Sequence, residues 1–509
     1  METFAAIYIG SYEISMKIFE LSAKRGIKEI DCLRHRMELW RDVYANGDIG
    51  VAMVDELCGV LSEFGKVMNS YRVNAYRAFA GMTIRDAANA TFVLEQIRLR
   101  TKLQVSVQSN SEHRFMSYQA VASTEAFEKI IAENTAVVDV GGASLQITLF
   151  VGGKAVTTQH LPIGTMRLRE QIARASMPPE HYEQQIQEMV DKELTVFKEL
   201  YLPHEGIRHL ILMGDYVVEV VRALGRNENA LPVEADKFVR YTGKLGRQNV
   251  ELISEELDLP NEKDMLIVPS LVVFRRVVQE MRAKDIYVPG LDANDGIAYD
   301  YAQTHNIVKA THDFTQDVLS AAEHLGSRYF GYEPHIRALE RTALAIFDTV
   351  KKLHGLTKRE RLLLQVAALL HDCGKYVSLV NAPRCAYDII ISSEIIGLTH
   401  LEREIVAFTV LYNSLPLEPY EQVADKMDSK SYITVAKLAA ILRLANALDK
   451  SHKQKMKSLK ASLTGGTLII TPEVAESVWL ERGIFETRAA MFEQVFGVKA
   501  VIKVKKVNR

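Results

Sequence analysis

The sequence predicts an α/β protein in which two related α/β halves precede an all-helical domain and a small α/β tail. Two segments, residues 4–21 and 135–156, share one plan: a β-rich run, a glycine turn and a second β-rich run. Strand-like runs disappear from about Asn306, and helical periodicity dominates through Leu448. Mixed character returns from about Lys457. The repeated hairpin and the two changes of pattern predict the order of these parts.

Each hairpin turns at glycine. In TFAAIYIGSYEISMKIFEL the break is Gly10–Ser11. In TAVVDVGGASLQITLFVGGKAV the first strand ends at Asp139–Val140, Gly141–Gly142 forms the turn, and the second strand runs through Ile147 and Phe150. Two matching hairpins this far apart predict two related halves.

Strands and helices alternate in the rest of both halves. Helical patterns cover roughly 31–45 and 51–69, and a strand, helix, strand run extends over 72–108. After the second hairpin come a long helix at about 181–200, the strand HLILMG ending at Gly214, and the apolar run MLIVPSLVVF. This mixture predicts parallel sheets flanked by helices.

The tail predicts a strand in LIITPE, a helix at about 481–496 and a closing strand in AVIKVKK. The sequence shows no short tandem repeat, which excludes a solenoid. We expect four domains: α/β lobes at 1–122 and 123–305, a helical HD-like domain at 306–455 and a small α/β domain at 456–509.

Composition and charge exclude several classes of protein. The chain has 509 residues, with 62 lysines and arginines against 64 aspartates and glutamates, and 48% of its residues are hydrophobic. These values are typical of a globular protein and not of a disordered or coiled-coil chain. A net charge of −2 gives no general affinity for nucleic acid, so we expect no nucleic-acid partner, and an anion site needs a local basic cluster.

The cysteines and the amino terminus predict the compartment. The four cysteines form no CxxC motif, which favours free thiols in a reducing environment. The start METFAAIYIG lacks a basic leader, and no run approaches the roughly 18 apolar residues of a membrane span. We therefore expect a cytoplasmic protein without a membrane partner.

The two glycine turns are candidate phosphate-binding loops. Backbone N–H groups left free at a tight turn can point at an anion. Asp139, just before the second turn, would hold a cation or an attacking water there. A plain hairpin turn explains either loop alone, because glycine is usual where φ is positive. The pair in equivalent positions favours a phosphate site.

Several ordered motifs resemble the exopolyphosphatase and guanosine pentaphosphate phosphohydrolase (Ppx/GppA) family. VDVGGASLQ is similar to the family's second phosphate loop, and AGMTIRDAANA, LPIGTMRLRE and GLDANDGIAYD are similar to three further segments. The resemblance covers essentially the whole chain. It implies two actin-like, ribonuclease H-like lobes, a bacterial origin, a homodimer, Mg²⁺ as cofactor, and release of terminal phosphate from inorganic polyphosphate or guanosine pentaphosphate.

The resemblance also implies a set of site residues. The expected phosphate-binding residues are Gly10, Ser11, Arg85, Gly141, Gly142, Ser144 and Gly214. The expected catalytic residues are Glu112, His113, Asp139 and Gln146. An ion pair with Asp86 explains Arg85 equally well.

The chain departs from the family pattern at its carboxylates. Tyr8 stands where the family's first loop has an aspartate. A phenol with a pKa of about 10 does not replace a carboxylate as a Mg²⁺ ligand. His113 matches the general-base glutamate, with Glu112 one residue earlier, and either could be the base. Gln146 replaces a second glutamate and can orient a water without taking its proton. The third glycine loop is reduced to Gly214.

The helical segment carries a candidate divalent-metal site around LLHDCGKYV. The expected ligands, from separate helices, are His335, His371, Asp372 and Asp449. This arrangement resembles an HD domain, although Asn446 replaces the last aspartate of that pattern. The alternative is a buried set of side chains held by helix-to-helix hydrogen bonds, with Lys375 as an internal cation in place of a metal.

The run DKSHKQKMKSLK is the densest basic stretch. The resemblance implies that such residues line a route for long polyphosphate, and the candidate track is Lys450, Lys453, Lys455 and Lys457. A solvated helix end explains the run equally well.

Three functions remain open on the sequence alone. The first is an exopolyphosphatase-like phosphoanhydride hydrolase. The second is a catalytically degenerate relative that binds polyphosphate or a nucleotide as a sensor or interaction protein. The third is a phosphohydrolase acting at the HD-like site.

Overall fold

The protein is described here from a computed structural model that covers residues 2–175, 181–225, 232–259, 266–474 and 476–506. The chain divides into two compact units, Met1–Asp313 and Phe314–Arg509. The finer division into four domains stays a prediction.

The first sheet of the first unit has five strands in the order β3-β2-β1-β4-β5. The strands are β1 (Glu2–Ile9), β2 (Glu13–Ser22), β3 (Gly26–Arg36), β4 (Ala75–Ala80) and β5 (Val105–Val107). The first three form an antiparallel meander, and β4 and β5 continue the sheet in parallel with β1.

The second sheet repeats this plan. Its order is β10-β11-β9-β6-β7-β8. The strands are β6 (Thr135–Val140), β7 (Leu145–Val151), β8 (Lys154–Leu161), β9 (His209–Gly214), β10 (Val233–Glu234) and β11 (Asp285–Tyr287). Again three strands form a meander and two more add in parallel, with β10 as an extra antiparallel edge. The predicted pair of related halves is confirmed, with the two glycine hairpins in equivalent positions.

Helices cover both sheets. Those of the first unit are α1 (Leu39–Asn46), α2 (Val51–Ser70), α3 (Met82–Asp86), α4 (Ala90–Thr101), α5 (Asn110–Ala122), α6 (Phe127–Ile131), α7 (Thr165–Ala175), α8 (Tyr182–Tyr201), α9 (Val217–Ala223), α10 (Ala235–Leu245), α11 (Val250–Glu256), α12 (Ile267–Met281) and α13 (Ala293–Thr304). The long predicted helix is α8, which buries Ile186, Val190, Leu194 and Phe197 at the spacing of one helix face.

One sequence prediction was wrong in part. The pattern at 31–45, expected to be helical, begins with β3 and becomes helical only in α1. Strand β3 is partly exposed along its length and rich in charged residues, so it lacks a clear apolar alternation. Pairing decides its structure: β2 supplies a complete antiparallel partner, with Met16 opposite Leu33.

The first sheet has cores on both faces. Ala5, Ile7 and Ile9 of β1 pack in one apolar cluster with residues of α2 and α4, whereas Phe4 and Ala6 pack in another with residues of α13. This alternation follows from the two-residue period of a strand. Helix α13 thus carries the GLDANDGIAYD segment onto the sheet that bears the first hairpin.

The second unit is helical and then mixed, as predicted. Its elements are α14 (Phe314–Arg328), α15 (Glu333–Thr349), α16 (Lys351–His354), α17 (Lys358–Leu370), a 3₁₀ turn (Cys373–Tyr376), α18 (Ala382–Ser392), α19 (His400–Ser414), a second 3₁₀ turn (Tyr420–Gln422), α20 (Ser429–Ala447), β12 (Met456–Thr464), β13 (Thr467–Val474), α21 (Trp479–Phe496), β14 (Lys499–Ile502) and β15 (Lys505–Lys506). The four strands form one sheet. Among the described residues, no helix is long and apolar enough to cross a membrane.

Candidate functional site

The turn between β1 and β2 is the first candidate phosphate loop. The Gly10 amide donates to the Glu13 carbonyl at 2.9 Å and closes the hairpin. A Cβ on Gly10 would lie 2.8 Å from the same oxygen, so the turn requires glycine. The Thr83 hydroxyl at the start of α3 donates to the Ser11 hydroxyl at 2.6 Å. The loop is therefore fixed from both sides.

The turn between β6 and β7 is the second. The Gly141 amide donates to the Ser144 carbonyl at 3.1 Å, and the Met166 amide of α7 donates to the Gly142 carbonyl at 2.9 Å. A Cβ on Gly164 would clash with the backbone of this turn. The LPIGTMRLRE segment therefore supports the loop by close backbone contact, which explains its glycine.

Gly214 ends β9 beside this turn. It pairs with Val140 in the sheet, and its φ of +128° is one that residues with a side chain rarely adopt. A Cβ there would also clash with the Val140 carbonyl. Gly214 thus lies next to the second loop, and its expected contact with phosphate stays a prediction.

Helix α5 connects the two hairpins through consecutive residues. The His113 ring stacks on the Tyr8 ring at the end of β1, with centroids 4.5 Å apart. Next to it, Arg114 Nη1 lies 3.1 Å from Asp139 Oδ2, and Arg114 Nη2 donates to the Ser144 hydroxyl at 2.7 Å. We call the two turns together with Tyr8, His113, Arg114 and Asp139 the hairpin site.

Tyr8 and His113 are both neutral. Burial raises the pKa of Tyr8, so the phenol stays protonated. Burial lowers the pKa of His113 to about 4, so the imidazole is uncharged at pH 7 and a weak base. Gly81 leaves room for the Tyr8 hydroxyl, because a Cβ at position 81 would clash with it. The packing therefore suits a tyrosine at the position where the family pattern has aspartate.

Glu112 performs a structural task. Its Oε2 accepts from the Ser109 amide at 2.8 Å and the Ser109 hydroxyl at 2.7 Å, while the Glu112 amide donates to the Ser109 hydroxyl at 3.3 Å. This is a capping box at the start of α5. The carboxylate is therefore turned toward its own helix end.

Gln146 and Arg85 occupy different surroundings. Gln146 is buried in β7, opposite Asp139 on one side and His160 on the other. Arg85 ends α3, and its Nε donates to Asp86 Oδ1 at 2.8 Å. The ion pair considered from the sequence is thus present, and a phosphate contact by Arg85 stays a prediction.

Asp215 joins the site from the end of β9. Asp215 is exposed at the surface, but the protein atoms around its carboxylate reduce the hydration of the charged form. This desolvation, together with the nearby Glu219 and Asp139 carboxylates, raises the pKa of Asp215 to about 6. A carboxylate that titrates near neutral pH is suited to accept a proton.

A buried charge cluster lies behind the first hairpin. Lys17 of β2 is almost fully buried, and its Nζ contacts Asp295 at 2.7 Å, Asp292 at 3.1 Å and Glu29 at 3.2 Å. Burial alone would lower the pKa of Lys17, but these carboxylates outweigh it and raise the pKa. The cluster ties α13 to the first sheet across nearly the whole unit, so the GLDANDGIAYD segment has a structural task.

The second unit contains a histidine cluster, formed by His335, His371, Asp372, Asp449 and His452. Ligand atoms of His335, His371 and Asp372 all lie within 4.8 Å of one another. His335 Nδ1 lies 2.8 Å from Asp449 Oδ2, and the His452 ring stacks on His335 at 3.7 Å. The structure therefore brings the four predicted ligands to one place.

The remaining polar atoms of the cluster suit a metal. The Nε2 atoms of His335 and His371 are buried and have no hydrogen-bond partner within the described part of the chain. Burial lowers the pKa of His371 to about 4, which keeps the imidazole neutral, the form that binds metal. Two imidazoles and a carboxylate fit a divalent transition-metal ion. Lys375 Nζ, however, already contacts Asp372 Oδ2 at 2.6 Å.

Comparison with known proteins places the chain in a family. The model of the Ppx/GppA phosphatase family matches residues 20–305, and the model of domain III of the Ppx/GppA phosphatases matches residues 320–485. The chain belongs to the Ppx/GppA phosphatase family. Within this family, a guanosine-5'-triphosphate,3'-diphosphate pyrophosphatase of Aeromonas hydrophila is 22% identical over 466 residues, covering 89% of this chain and 88% of the relative.

A solved Ppx/GppA structure shares the fold. The Aquifex aeolicus family member aligns with a TM-score of 0.51 and 20% identity, over 60% of this chain and 99% of that one. An exopolyphosphatase from Cytophaga hutchinsonii aligns with a TM-score of 0.48 and 16% identity, over 61% of this chain and all of that one. The predicted fold class, α/β with actin-like lobes, is confirmed. The HD-like character of the Ppx/GppA domain III segment stays a prediction.

The basic run follows α20 and enters β12. Lys450 and Lys453 are exposed, whereas Lys455 contacts the buried Glu481 at 3.2 Å. The side chain of Lys457 lies outside the described residues. The role of these lysines as a polyanion track for a Ppx/GppA substrate stays a prediction, with Lys450 and Lys453 the exposed members.

Sequence reasoning missed several residues of this Ppx/GppA site. The Ser109-to-Glu112 spacing is a capping-box signal that could have revealed the task of Glu112. Asp215 follows a strand end, where functional side chains of parallel sheets gather. Arg114 gave no signal, because its partners are 25 and 30 residues away in sequence.

Proposed function

We propose that the hairpin site binds a linear phosphoanhydride, inorganic polyphosphate or a guanosine polyphosphate, and hydrolyses it slowly. The observation that carries this proposal is that the two side chains expected to activate water, Glu112 and His113, are already held in other contacts. Glu112 caps α5, and His113 is a weak base stacked on Tyr8. This is the catalytically degenerate alternative drawn from the sequence.

Anion binding is supported by the two loops. Both turns are held in shape by short hydrogen bonds and by glycines that a side chain would disrupt. Preorganised turns can present amide donors to a phosphate without further ordering. The positive charge of Arg114 lies directly beside Asp139 and Ser144.

Slow turnover follows from the missing base. A positioned general base contributes about 10²- to 10⁴-fold to such a reaction. Asp215 is the carboxylate of the site best suited to carry any residual proton transfer, because its pKa is raised to about 6. Residual phosphate release should therefore increase as the pH rises through about 6 and disappear in Asp215→Asn.

Mg²⁺ does not fit the hairpin site in the way the family pattern implies. Tyr8 replaces one carboxylate with a neutral phenol, and Asp139 is paired with Arg114. No step of the proposed function is therefore assigned to a metal at the hairpin site.

The test measures binding and release in one sample. Fluorescently labelled polyphosphate is titrated with the full chain by anisotropy, and phosphate release is followed with unlabelled polyphosphate. We expect saturable binding, and release at least about 10²-fold slower than in a family member with both glutamates. Release at that member's rate, or no binding, would overturn the proposal. Arg98→Gln, which breaks only a surface pair with Glu95, is the matched control for charge.

The histidine cluster supports a second candidate function, a metal-dependent phosphohydrolase in the second unit. The observation that supports it is the pair of buried Nε2 atoms of His335 and His371, which lack a hydrogen bond in the described part of the chain and lie close to Asp372. A divalent ion held by His335, His371 and Asp372 would supply an activated water or polarise a phosphoryl oxygen. Metal analysis of the purified chain tests it: less than about a tenth of an equivalent, unchanged in His371→Ala, would remove this candidate.

The homodimer, the cytoplasmic location and the bacterial origin implied by the resemblance stay predictions. Light scattering of the purified protein tests the first of them.

A further inference from the structure

We propose that Arg114 takes the place of a divalent cation at Asp139, so that the hairpin site binds its polyanion without a metal. This inference rests on the proposed function and names the charge that supports it. The metal expected from the resemblance and the residues actually present disagree, and the disagreement centres on this guanidinium.

Arg114 is held in place by four contacts. Nη1 lies 3.1 Å from Asp139 Oδ2 and 3.2 Å from the Asp139 carbonyl, while Nη2 lies 3.0 Å from the Ser144 carbonyl and 2.7 Å from its hydroxyl. Only 9% of the Arg114 side chain and 18% of the Asp139 side chain are exposed. The guanidinium is therefore a fixed part of the second loop.

The position of the guanidinium excludes a cation at the same carboxylate oxygen. Mg²⁺ binds oxygen ligands at about 2.0–2.1 Å, so an ion on Asp139 Oδ2 would lie within about 5 Å of Nη1. Like charges at this distance repel strongly where little water screens them. The first-loop carboxylate of the family pattern does not offset this repulsion, because Tyr8 stands there as a neutral phenol.

The same contacts serve anion binding. An unpaired Asp139 would repel a phosphate chain, and Arg114 neutralises it. By bonding the Ser144 carbonyl and hydroxyl, the guanidinium also fixes the turn that would bind the phosphate. An arginine at this point thus provides both functions that a metal ion would: charge neutralisation and loop geometry.

The experiment measures Mn²⁺ binding by electron paramagnetic resonance. Every full-length protein carries His371→Ala, so that the histidine cluster does not contribute. We expect no bound Mn²⁺ at the hairpin site in this background or with Arg114→Lys, which keeps the charge. With Arg114→Gln, which keeps hydrogen-bonding capacity but removes the charge, we expect one bound Mn²⁺, lost again with Arg114→Gln plus Asp139→Asn.

Two results would overturn the inference. One is Mn²⁺ bound with Arg114 present and lost in Asp139→Asn; the other is the absence of Mn²⁺ in a folded Arg114→Gln protein. If Arg114→Gln does not fold, the first result still decides. Polyphosphate binding in EDTA is measured separately. If the Mn²⁺ results are as expected but polyphosphate does not bind, the proposed function is wrong, whereas the inference that Arg114 excludes a metal still holds.

Discussion

The hairpin site and the histidine cluster both pair a basic side chain with the carboxylate that a metal would use. At the hairpin site the basic side chain is that of Arg114, which makes four contacts and is 9% exposed. In the cluster it is Lys375, whose side chain is 44% exposed and which contacts Asp372 alone among the described residues. A buried guanidinium with several hydrogen bonds stays beside its carboxylate, whereas an exposed lysine side chain can rotate away from its carboxylate. We therefore expect the basic side chain to exclude a metal from the hairpin site and to leave the histidine cluster able to bind one.

The two sites also differ in their histidines. His113 has its ring covered by Tyr8. His335 and His371 instead have buried Nε2 atoms without a hydrogen-bond partner among the described residues, although His371 Nε2 lies 3.3 Å from Asp372 Oδ1. Leaving buried polar atoms unpaired destabilises a fold unless something binds them. This difference supports the metal-binding candidate at the histidine cluster and gives no such support at the Tyr8–His113 stack.

The largest expected effect comes from restoring the hairpin site to the family pattern. Tyr8→Asp, His113→Glu and Gln146→Glu together with Arg114→Ala should raise Mg²⁺-dependent phosphate release by about 10²-fold or more, because a base and a metal site return. The triple variant that retains Arg114 should gain much less. Phosphate release from polyphosphate measures both, and equal rates would show that Arg114 does not exclude the metal.

Freeing Asp372 should strengthen metal binding at the histidine cluster. Lys375→Gln removes a partly exposed ion pair, whose loss is expected to increase Zn²⁺ affinity by about three- to tenfold. Isothermal titration calorimetry compares the variant with Lys352→Gln, an exposed lysine of α16. Equal affinities in the two variants would contradict the view that Lys375 competes with the metal.

Gly81→Ala tests how tightly the hairpin site encloses Tyr8. The added Cβ clashes with the Tyr8 hydroxyl, so the free energy of unfolding should fall by about 1–3 kcal/mol. Tyr8→Phe should recover part of this loss in the double variant. Urea denaturation measures it, with Gly59→Ala of α2, where the Cβ meets open space, as the control. Equal stabilities for both alanine variants would refute tight enclosure.

A further expected effect is the acid sensitivity due to His113. Its folded pKa of about 4 lies below the unfolded value of about 6.5, so the unfolded chain binds the proton first. The stability that this difference contributes is present above about pH 6.5 and is lost as the pH falls toward about 4, amounting to about 3 kcal/mol. Denaturation midpoints between these pH values should vary less in His113→Gln, and an unchanged pH profile would contradict the assignment.

Local patterns predicted much of this fold. The strand, glycine, strand plan gave both hairpins, and four-residue apolar spacing gave α8. Strand β3 could not be predicted, because charged residues along a partly exposed strand hide the two-residue period and only pairing with β2 defines it. Tertiary pairing overrode the local pattern there.

The candidate site was predictable where backbone motifs define it. Gly10, Gly141 and Gly214 lie at the turns that their sequence indicated. Contacts between distant side chains were not predictable: Arg114 reaches Asp139 only through packing of α5, and Lys17 meets Asp295 across 278 residues. Such pairs leave no periodic trace in a single sequence.

The most direct test is a crystal structure of the full chain soaked with polyphosphate and Mn²⁺, with anomalous data. We expect phosphate density against the two glycine turns and no anomalous peak at coordination distance from Asp139, with Arg114 in place. An Mn²⁺ peak on Asp139 with Arg114 displaced, or phosphate density only elsewhere, would contradict it.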